Sequence, residues 1–477
     1  MGFTVRTFSL DAQGLWRDEV DSLRFATAPW AELLDTFIRP GWNGPFYFLM
    51  LRGWVALAGE TGFALRYLSL LWGVLGIPLL YQLGQRLLNR EVGLWAALLM
   101  AFSPYLVWYA QEVRMYTWVP FLVLLALYAL DRAAVRPRWY WWAIVSVATS
   151  LAFYSHILAA LLIPVEVLFF LLHPRRHRRA WIGGLIVLIL LTLPYLPLVH
   201  WQLPLVFEER QTGYPPHTLG EMTSILASGW TTGMAVARPF WLDWLGLSLM
   251  SALSVVGLLA LFLGRRESCG WRQALTLLAW WAVPLAAIWW VSLRGPIFTD
   301  RYLIWTAPAF YLAVAVGVVF LGRVWRHLPT LLLLVILIVD GVNLYQQLVV
   351  PIKPQFREAT AYLEEHRNPD TLLLFQIPYN HFVVDYYGDG ALEPWAGAPF
   401  TNWRTPEGDY QVSQGSLALQ MQDLTEVHDE IWLVYSEATM WDDRELVKWW
   451  LDAHGVLLDE KHFYLVELYH YALPENR

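Results

Sequence analysis

From residue 63 to residue 348, apolar positions come in blocks of roughly twenty, separated by short breaks rich in arginine. A bilayer core about 30 Å thick needs about 20 mostly apolar residues per helix. Windows of that size predict ten spans, at 63–87, 92–109, 116–130, 139–155, 157–172, 180–199, 240–263, 273–293, 302–321 and 328–348. The block at 44–59 is apolar as well, but only about 16 residues long, and it opens with Pro45, which suits a helix start. Counting it as a span would invert every later loop, so the pattern predicts a juxtamembrane or re-entrant helix there.

The breaks sort by arginine content. Alternate loops hold Arg86 and Arg90, then Arg132, Arg136 and Arg138, then Arg175, Arg176, Arg178 and Arg179, then Arg265, Arg266 and Arg272, then Arg323 and Arg326. The intervening loops hold only Arg114, then Arg210 and Arg238, then Arg294 and Arg301. The positive-inside rule assigns the first set to the cytoplasm. The segments 1–62 and 352–477 then lie outside it. Residues 1–10 lack a basic region ahead of a sufficient apolar run, so they do not read as a signal peptide. They read as the tail of a helix, and the pattern predicts a first membrane span upstream.

Beyond residue 352 the pattern changes. Short apolar runs at 372–375, 431–435 and 463–468 read as strands, and the stretches 356–365 and 443–453 have helical spacing. Gly, Pro and Asn punctuate the runs. The chain therefore divides into an extracytoplasmic first loop with juxtamembrane helices (1–62), an all-α polytopic membrane domain of about ten helices (63–350) and a small extracytoplasmic α/β domain (351–477).

Composition agrees. Hydrophobic residues make up 57% of the 477 and charged residues only 15%, against roughly 25% in soluble domains. That balance excludes a basic nucleic-acid-binding domain, a disordered chain and an ordinary cytosolic enzyme. One cysteine, Cys269, excludes an intrachain disulfide and a cysteine-based metal cluster. Lysine occurs only at Lys353, Lys448 and Lys461, so arginine supplies nearly all the positive charge.

Four polar clusters fall at the same predicted membrane face. They are Arg17-Asp18-Glu19 in the first loop, Gln111-Glu112-Val113-Arg114-Met115-Tyr116 between two spans, Ser155-His156 at the end of a third, and Asp300-Arg301-Tyr302 at the start of the ninth. Four separate loops thus bring acids, a histidine and three arginines to one level. Glu166 sits mid-span, and such a residue either serves function or bonds a facing helix. The aromatic runs 139–142 and 289–290 read as interface belts.

These clusters carry a resemblance. The strings LWRDEVDSLRFA, GPFYFLMLRGW, FALRYLSLL, SPYLVWYAQEVRMYTW, YSHILA and DRYL resemble multi-pass glycosyltransferases of the GT-C superfamily. The similarity is to the bacterial branch of protein O-mannosyltransferases and aminoarabinose lipid transferases, and it covers roughly residues 10–350. It implies a polyprenyl-phosphate-linked sugar donor, an acceptor that is protein, lipid or glycan, and transfer at the outer face of the cell membrane. Many relatives carry a His-Pro-Pro or similar block where this chain has Asn43-Gly44-Pro45, so the resemblance does not carry over any metal ligand that relatives supply there. A divalent metal cofactor stays an open question.

Elementary chemistry points the same way. A sugar leaving from a lipid phosphate departs as an anion of low pKa and needs no general acid. It needs cations at the phosphate, which arginine supplies as a planar multi-donor group. The acceptor hydroxyl needs one base, and a carboxylate serves. One base and a cationic leaving-group site make an inverting transferase, whereas a glycosidase needs two carboxylates about 5–10 Å apart. The reading assigns Asp18 as base, Glu19 as its orienting partner or a metal ligand, and Arg114 and Arg301 to the donor phosphate. Gln111, Glu112, Tyr116, His156 and Tyr302 complete the candidate site. A transporter or flippase of a lipid-linked precursor is the alternative; it would place its polar groups near the midplane and show internal symmetry.

Overall fold

The structure is a computed structural model. It describes the chain apart from residues 38–41, 174–176, 197–199, 201, 203, 209–211, 213, 235–239, 265–269, 389–392, 406 and 475–477. Cys269, Arg175, Arg176, Arg210, Arg238, Arg265 and Arg266 lie outside the described residues. The chain forms two compact units, one of Met1–Leu10 and Phe25–Val349, the other of Asp11–Arg24 and Val350–Arg477. Residues 11–24 therefore fold with the C-terminal segment and not with the rest of the first loop.

The first unit is helical, and the described residues of the ten predicted spans are mostly helical; residues 197–199 of the span at 180–199 lie outside the described residues. Among the described residues, six helices are long and apolar enough to cross a membrane, including Gly62–Leu87, Trp118–Val135 and Asp300–Leu321. The span at 92–109 is broken into Arg90–Phe102 and Pro104–Ala110, bent by 58°. Proline at 104 disfavours helix at Ser103 and starts a new one after it, and the Ser103 hydroxyl accepts from Leu106 N (3.2 Å) as its cap. The spans at 139–155, 157–172 and 180–199 are shorter apolar helices, Trp139–Phe153, Ile157–Leu172 and Ala180–Thr192. The apolar block at 44–59 forms the helix Phe46–Ala58, 13 residues long. The chain is a multi-pass membrane protein.

Small residues bring the helices together, as lipid-embedded packing requires. A Cβ on Gly257 would meet Ala313 O at 2.1 Å, and one on Gly317 would meet Leu253 O at 2.1 Å, so the helices carrying them touch backbone to backbone. Buried polar groups add ties between helices. The guanidinium of Arg6 donates to Ala101 O (2.8 Å) and Met100 O (3.0 Å), satisfying carbonyls at a helix end. Asp131 accepts from Arg86 and pairs with His173 Nε2 at 3.0 Å, joining three helices. Glu166, the mid-span acid, accepts from the Thr149 hydroxyl of a facing helix at 2.6 Å.

The second unit carries a five-stranded sheet of order β2-β1-β3-β5-β4, with β1 Leu372–Phe375, β2 Trp395–Gly397, β3 Glu430–Tyr435, β4 Val456–Phe463 and β5 Val466–Ala472. Strands β2, β1 and β3 are parallel and the last two antiparallel. Leu374, Leu433 and Ile431 pack on Leu417 and Met421 of one helix and Trp450 and Leu451 of another. The run at 463–468, predicted as a single strand, is instead the tip of the β4–β5 hairpin. Leu465 there takes a positive φ of 58°, which an uninterrupted strand cannot accommodate. The helix predicted at 443–453 begins at Leu446.

Candidate active site

In the first unit, the loop after the broken span, the turn at Ser155-His156 and the start of Asp300–Leu321 converge. His156 is buried, with its ring centroid 5.0 Å from that of Tyr302 and 6.4 Å from that of Tyr116. The Arg301 guanidinium lies over both tyrosine rings, 5.7 Å from Tyr116 and 6.0 Å from Tyr302. Tyr302 in turn shares a hydroxyl hydrogen bond with Tyr214 (2.8 Å), and the Tyr109 hydroxyl donates to Asp300 Oδ2 (3.1 Å). Glu112 and Arg301 both act electrostatically on Tyr109. The structure thus brings Glu112, Arg114, Tyr116, His156, Arg301 and Tyr302 together.

Among the described residues, neither ring nitrogen of His156 has a hydrogen-bond partner. The residue lies between the helices Trp139–Phe153 and Ile157–Leu172. Burial, reinforced by the Arg114 and Arg301 guanidiniums, pushes its imidazole down to about 3. The ring is therefore neutral at working pH and offers one donor and one acceptor, not a third positive charge. Stability has the matching sign. The unfolded histidine takes a proton near its ordinary value of about 6.5 while the folded one refuses it. The stabilisation present above about pH 6.5 should thus be lost progressively as pH falls toward about 3. Melting temperatures of the wild type and His156→Gln across pH 4–7.5 check this; the decline on acidification should be shallower in the variant.

The turn that carries His156 is braced by a block with no titratable group. Asn43 Oδ1 accepts from Ile157 N (3.3 Å) and Phe46 N donates to Tyr154 O (3.1 Å). Gly44 lies so close that a Cβ would stand 2.0 Å from Tyr154 O. Residues 43–45 thus shape the histidine turn, and glycine is required by the close approach.

Gln111 is engaged elsewhere in this unit. Its amide donates to Arg6 O (3.0 Å) and Phe8 O (2.9 Å), holding the N-terminal helix Gly2–Thr7.

The acid pair belongs to the second unit. Asp18 and Glu19 lie in the first turn of the helix Arg17–Thr27, where the helix dipole favours negative charge. Both are buried, Glu19 fully. Lys353 Nζ donates to Glu19 Oε2 at 3.0 Å, and this lysine is buried too. Arg17, 3.9 Å from Asp18 Oδ1, also forms an ion pair with Glu437 at 3.0 Å. The chain leading into the helix is fixed by Gln13 Oε1, which accepts from Ile352 N (2.9 Å) and Lys353 N (3.0 Å), and by Tyr387, whose hydroxyl bonds Leu15 N. Among the described residues, no group of three or more His, Cys, Asp or Glu is arranged to hold a metal ion.

Residues 40–201, about a third of the chain, match the family model described as dolichyl-phosphate-mannose-protein mannosyltransferase. No protein of curated function is similar in sequence. Among solved structures, ArnT from Cupriavidus metallidurans in the apo state aligns over 98% of this chain and 96% of its own, with a TM-score of 0.59 and 14% identity. The same protein bound to undecaprenyl phosphate aligns over the same shares at a TM-score of 0.59 and 13% identity. The oligosaccharyltransferase AglB from Archaeoglobus fulgidus, in complex with an inhibitory peptide and a dolichol-phosphate, aligns over 87% of this chain and 64% of its own, with a TM-score of 0.51 and 12% identity. The chain thus shares its fold with these solved structures, and its residues 40–201 are similar to the dolichyl-phosphate-mannose-protein mannosyltransferase family.

Proposed function

We propose that the protein is a glycosyltransferase that moves a sugar from a polyprenyl-phosphate donor to an acceptor at the extracytoplasmic face, with inversion at the anomeric carbon. The observation that carries this reading is the arginine–tyrosine–histidine group of Arg114, Arg301, Tyr116, Tyr302 and His156. It offers charged and neutral donors in a buried setting, which suits a phosphate monoanion or dianion. Similar structures give support, since ArnT was solved with undecaprenyl phosphate and AglB with a dolichol-phosphate.

In this reading Arg114 and Arg301 stabilise the charge that builds on the departing lipid phosphate, and Asp18 takes the proton of the acceptor nucleophile. The bond from sugar to phosphate breaks as the bond from sugar to acceptor oxygen forms. Glu19 orients the base. The arginine-rich alternate loops support a topology with residues 352–477 outside the cytoplasm.

Undecaprenyl phosphate itself is the probe. The purified chain should retain it in native mass spectrometry, and Arg114→Ala should weaken retention by about tenfold or more, as loss of a charge-assisted contact predicts. Equal retention by wild type and Arg114→Ala would remove Arg114 from the phosphate site.

A further inference from the structure

Lys353 lies shortly after the last membrane helix, Leu328–Val349, and in the sequence it stands out only as one of three lysines. The structure buries it. Its ammonium sits 3.0 Å from Glu19 Oε2, with the lysine side chain 4% exposed and the carboxylate 0%. Its backbone N is held by Gln13 Oε1 at 3.0 Å, so both ends of the residue engage the segment that carries the acid pair. The chain has only three lysines, and Lys448 and Lys461 lie far along the C-terminal segment. A buried charge pair is a poor way to gain stability, because desolvation offsets the attraction. Replacing such a pair by apolar residues of similar volume is often neutral or stabilising. A function that needs the charge explains it better.

We propose that Lys353 is a positioning residue of the transfer reaction. Its ammonium holds the Glu19 carboxylate in one direction and balances its charge, so that Glu19 orients the adjacent Asp18, the residue read as base. The inference rests on the reading of Asp18 as base, and it gives the C-terminal segment a part in catalysis beyond shaping an acceptor site. It also gives Glu19 a built-in cation, and with that the orienting role of the two that the sequence left open.

The test uses the full chain in detergent and an undecaprenyl-phosphate sugar that the wild type turns over, read as released undecaprenyl phosphate. Lys353→Met should lower kcat by about 10²-fold with the donor KM changed less than about threefold, because the donor phosphate is held elsewhere. Lys353→Arg should recover most of the loss, since a cation of similar reach restores the pair. Lys353→Met leaves a buried carboxylate without this cation and can fold poorly. The double variant Glu19→Gln/Lys353→Met removes both charges and keeps the question answerable. If the two residues act as one unit, the double variant should be no slower than Glu19→Gln alone. Multiplying losses, a wild-type kcat in Lys353→Met, or a change confined to KM would each overturn the proposal. Asp18→Asn in the same assay separates the layers: an inactive Asp18→Asn beside a fully active Lys353→Met sinks this inference alone, whereas an active Asp18→Asn removes the base assignment beneath it.

Discussion

Asp18→Asn is expected to cut turnover by about 10²-fold or more while leaving donor KM nearly unchanged. The amide has the shape of the carboxylate but cannot take a proton, so only the step in which the acceptor is deprotonated should suffer. The fold should tolerate the change. Asp18 stands in the first turn of the helix Arg17–Thr27, where asparagine keeps an acceptor oxygen and forfeits only the modest dipole term of about 0.3–1 kcal/mol. The segment around it is held by other residues: Gln13 bonds to Ile352 and Lys353, Tyr387 bonds to Leu15, and Arg17 pairs with Glu437. Steady-state kinetics with a melting curve decides the matter. Full turnover by Asp18→Asn would place the base elsewhere, with Glu19 and Glu112 next in line.

The second large effect concerns Arg301. At the start of a membrane helix an arginine serves either as an anchor that reaches toward headgroups or as a grip on the donor phosphate. Lysine can replace an anchor, because both side chains carry charge on a long stem. It cannot replace a fork that stacks over aromatic rings, and Arg301 lies over Tyr116 and Tyr302 at 5.7 and 6.0 Å. Arg301→Lys should therefore lower kcat by about ten- to a hundredfold in protein that purifies and melts normally. The loss should shrink with a donor whose leaving group is better, since such a donor asks less of the cation. Wild-type turnover by Arg301→Lys on the natural donor would make Arg301 an anchor and leave Arg114 to act alone.

Much of the membrane unit is visible in the pattern of apolar blocks, because a span must be both long and apolar and few other structures satisfy both. What such windows cannot see is a break inside a span. Ser103-Pro104 sits within an apolar stretch, and only the missing amide hydrogen and the ring of Pro104 reveal the 58° bend. The cluster of Glu112, Arg114, Tyr116, His156, Arg301 and Tyr302 could be anticipated from topology, since loops that exit on one face fall at one level. Gln111 belongs to the same loop, yet it points its amide at Arg6 O and Phe8 O. Sequence spacing says which residues share a loop; it does not say which way each side chain turns.

The second unit was less legible for a related reason. Its ties to residues 11–24 join positions more than three hundred apart, such as Glu19 and Lys353, and no local periodicity records such a contact. Lys353 has no sequence signal beyond its rarity. The hairpin tip at Tyr464-Leu465 is hidden in the sequence, because a two-residue turn without Gly, Asn or Asp lacks the usual markers. The brace at Asn43-Gly44-Pro45 drew notice only for departing from relatives, while its contribution here is the shape it gives the His156 turn.

The central claim is that this protein breaks a sugar–phosphate bond of a lipid-linked donor. The most direct measurement incubates the purified chain with a panel of undecaprenyl-phosphate sugars and a mixture of protein, lipid and glycan acceptors, and follows free undecaprenyl phosphate. The account predicts that at least one donor releases undecaprenyl phosphate in equal amount to the glycosylated acceptor, and that Asp18→Asn slows the release by about 10²-fold or more. Folded protein that retains undecaprenyl phosphate yet releases none from any donor, while carrying intact donor across a vesicle membrane, would contradict it and favour a lipid-linked sugar flippase.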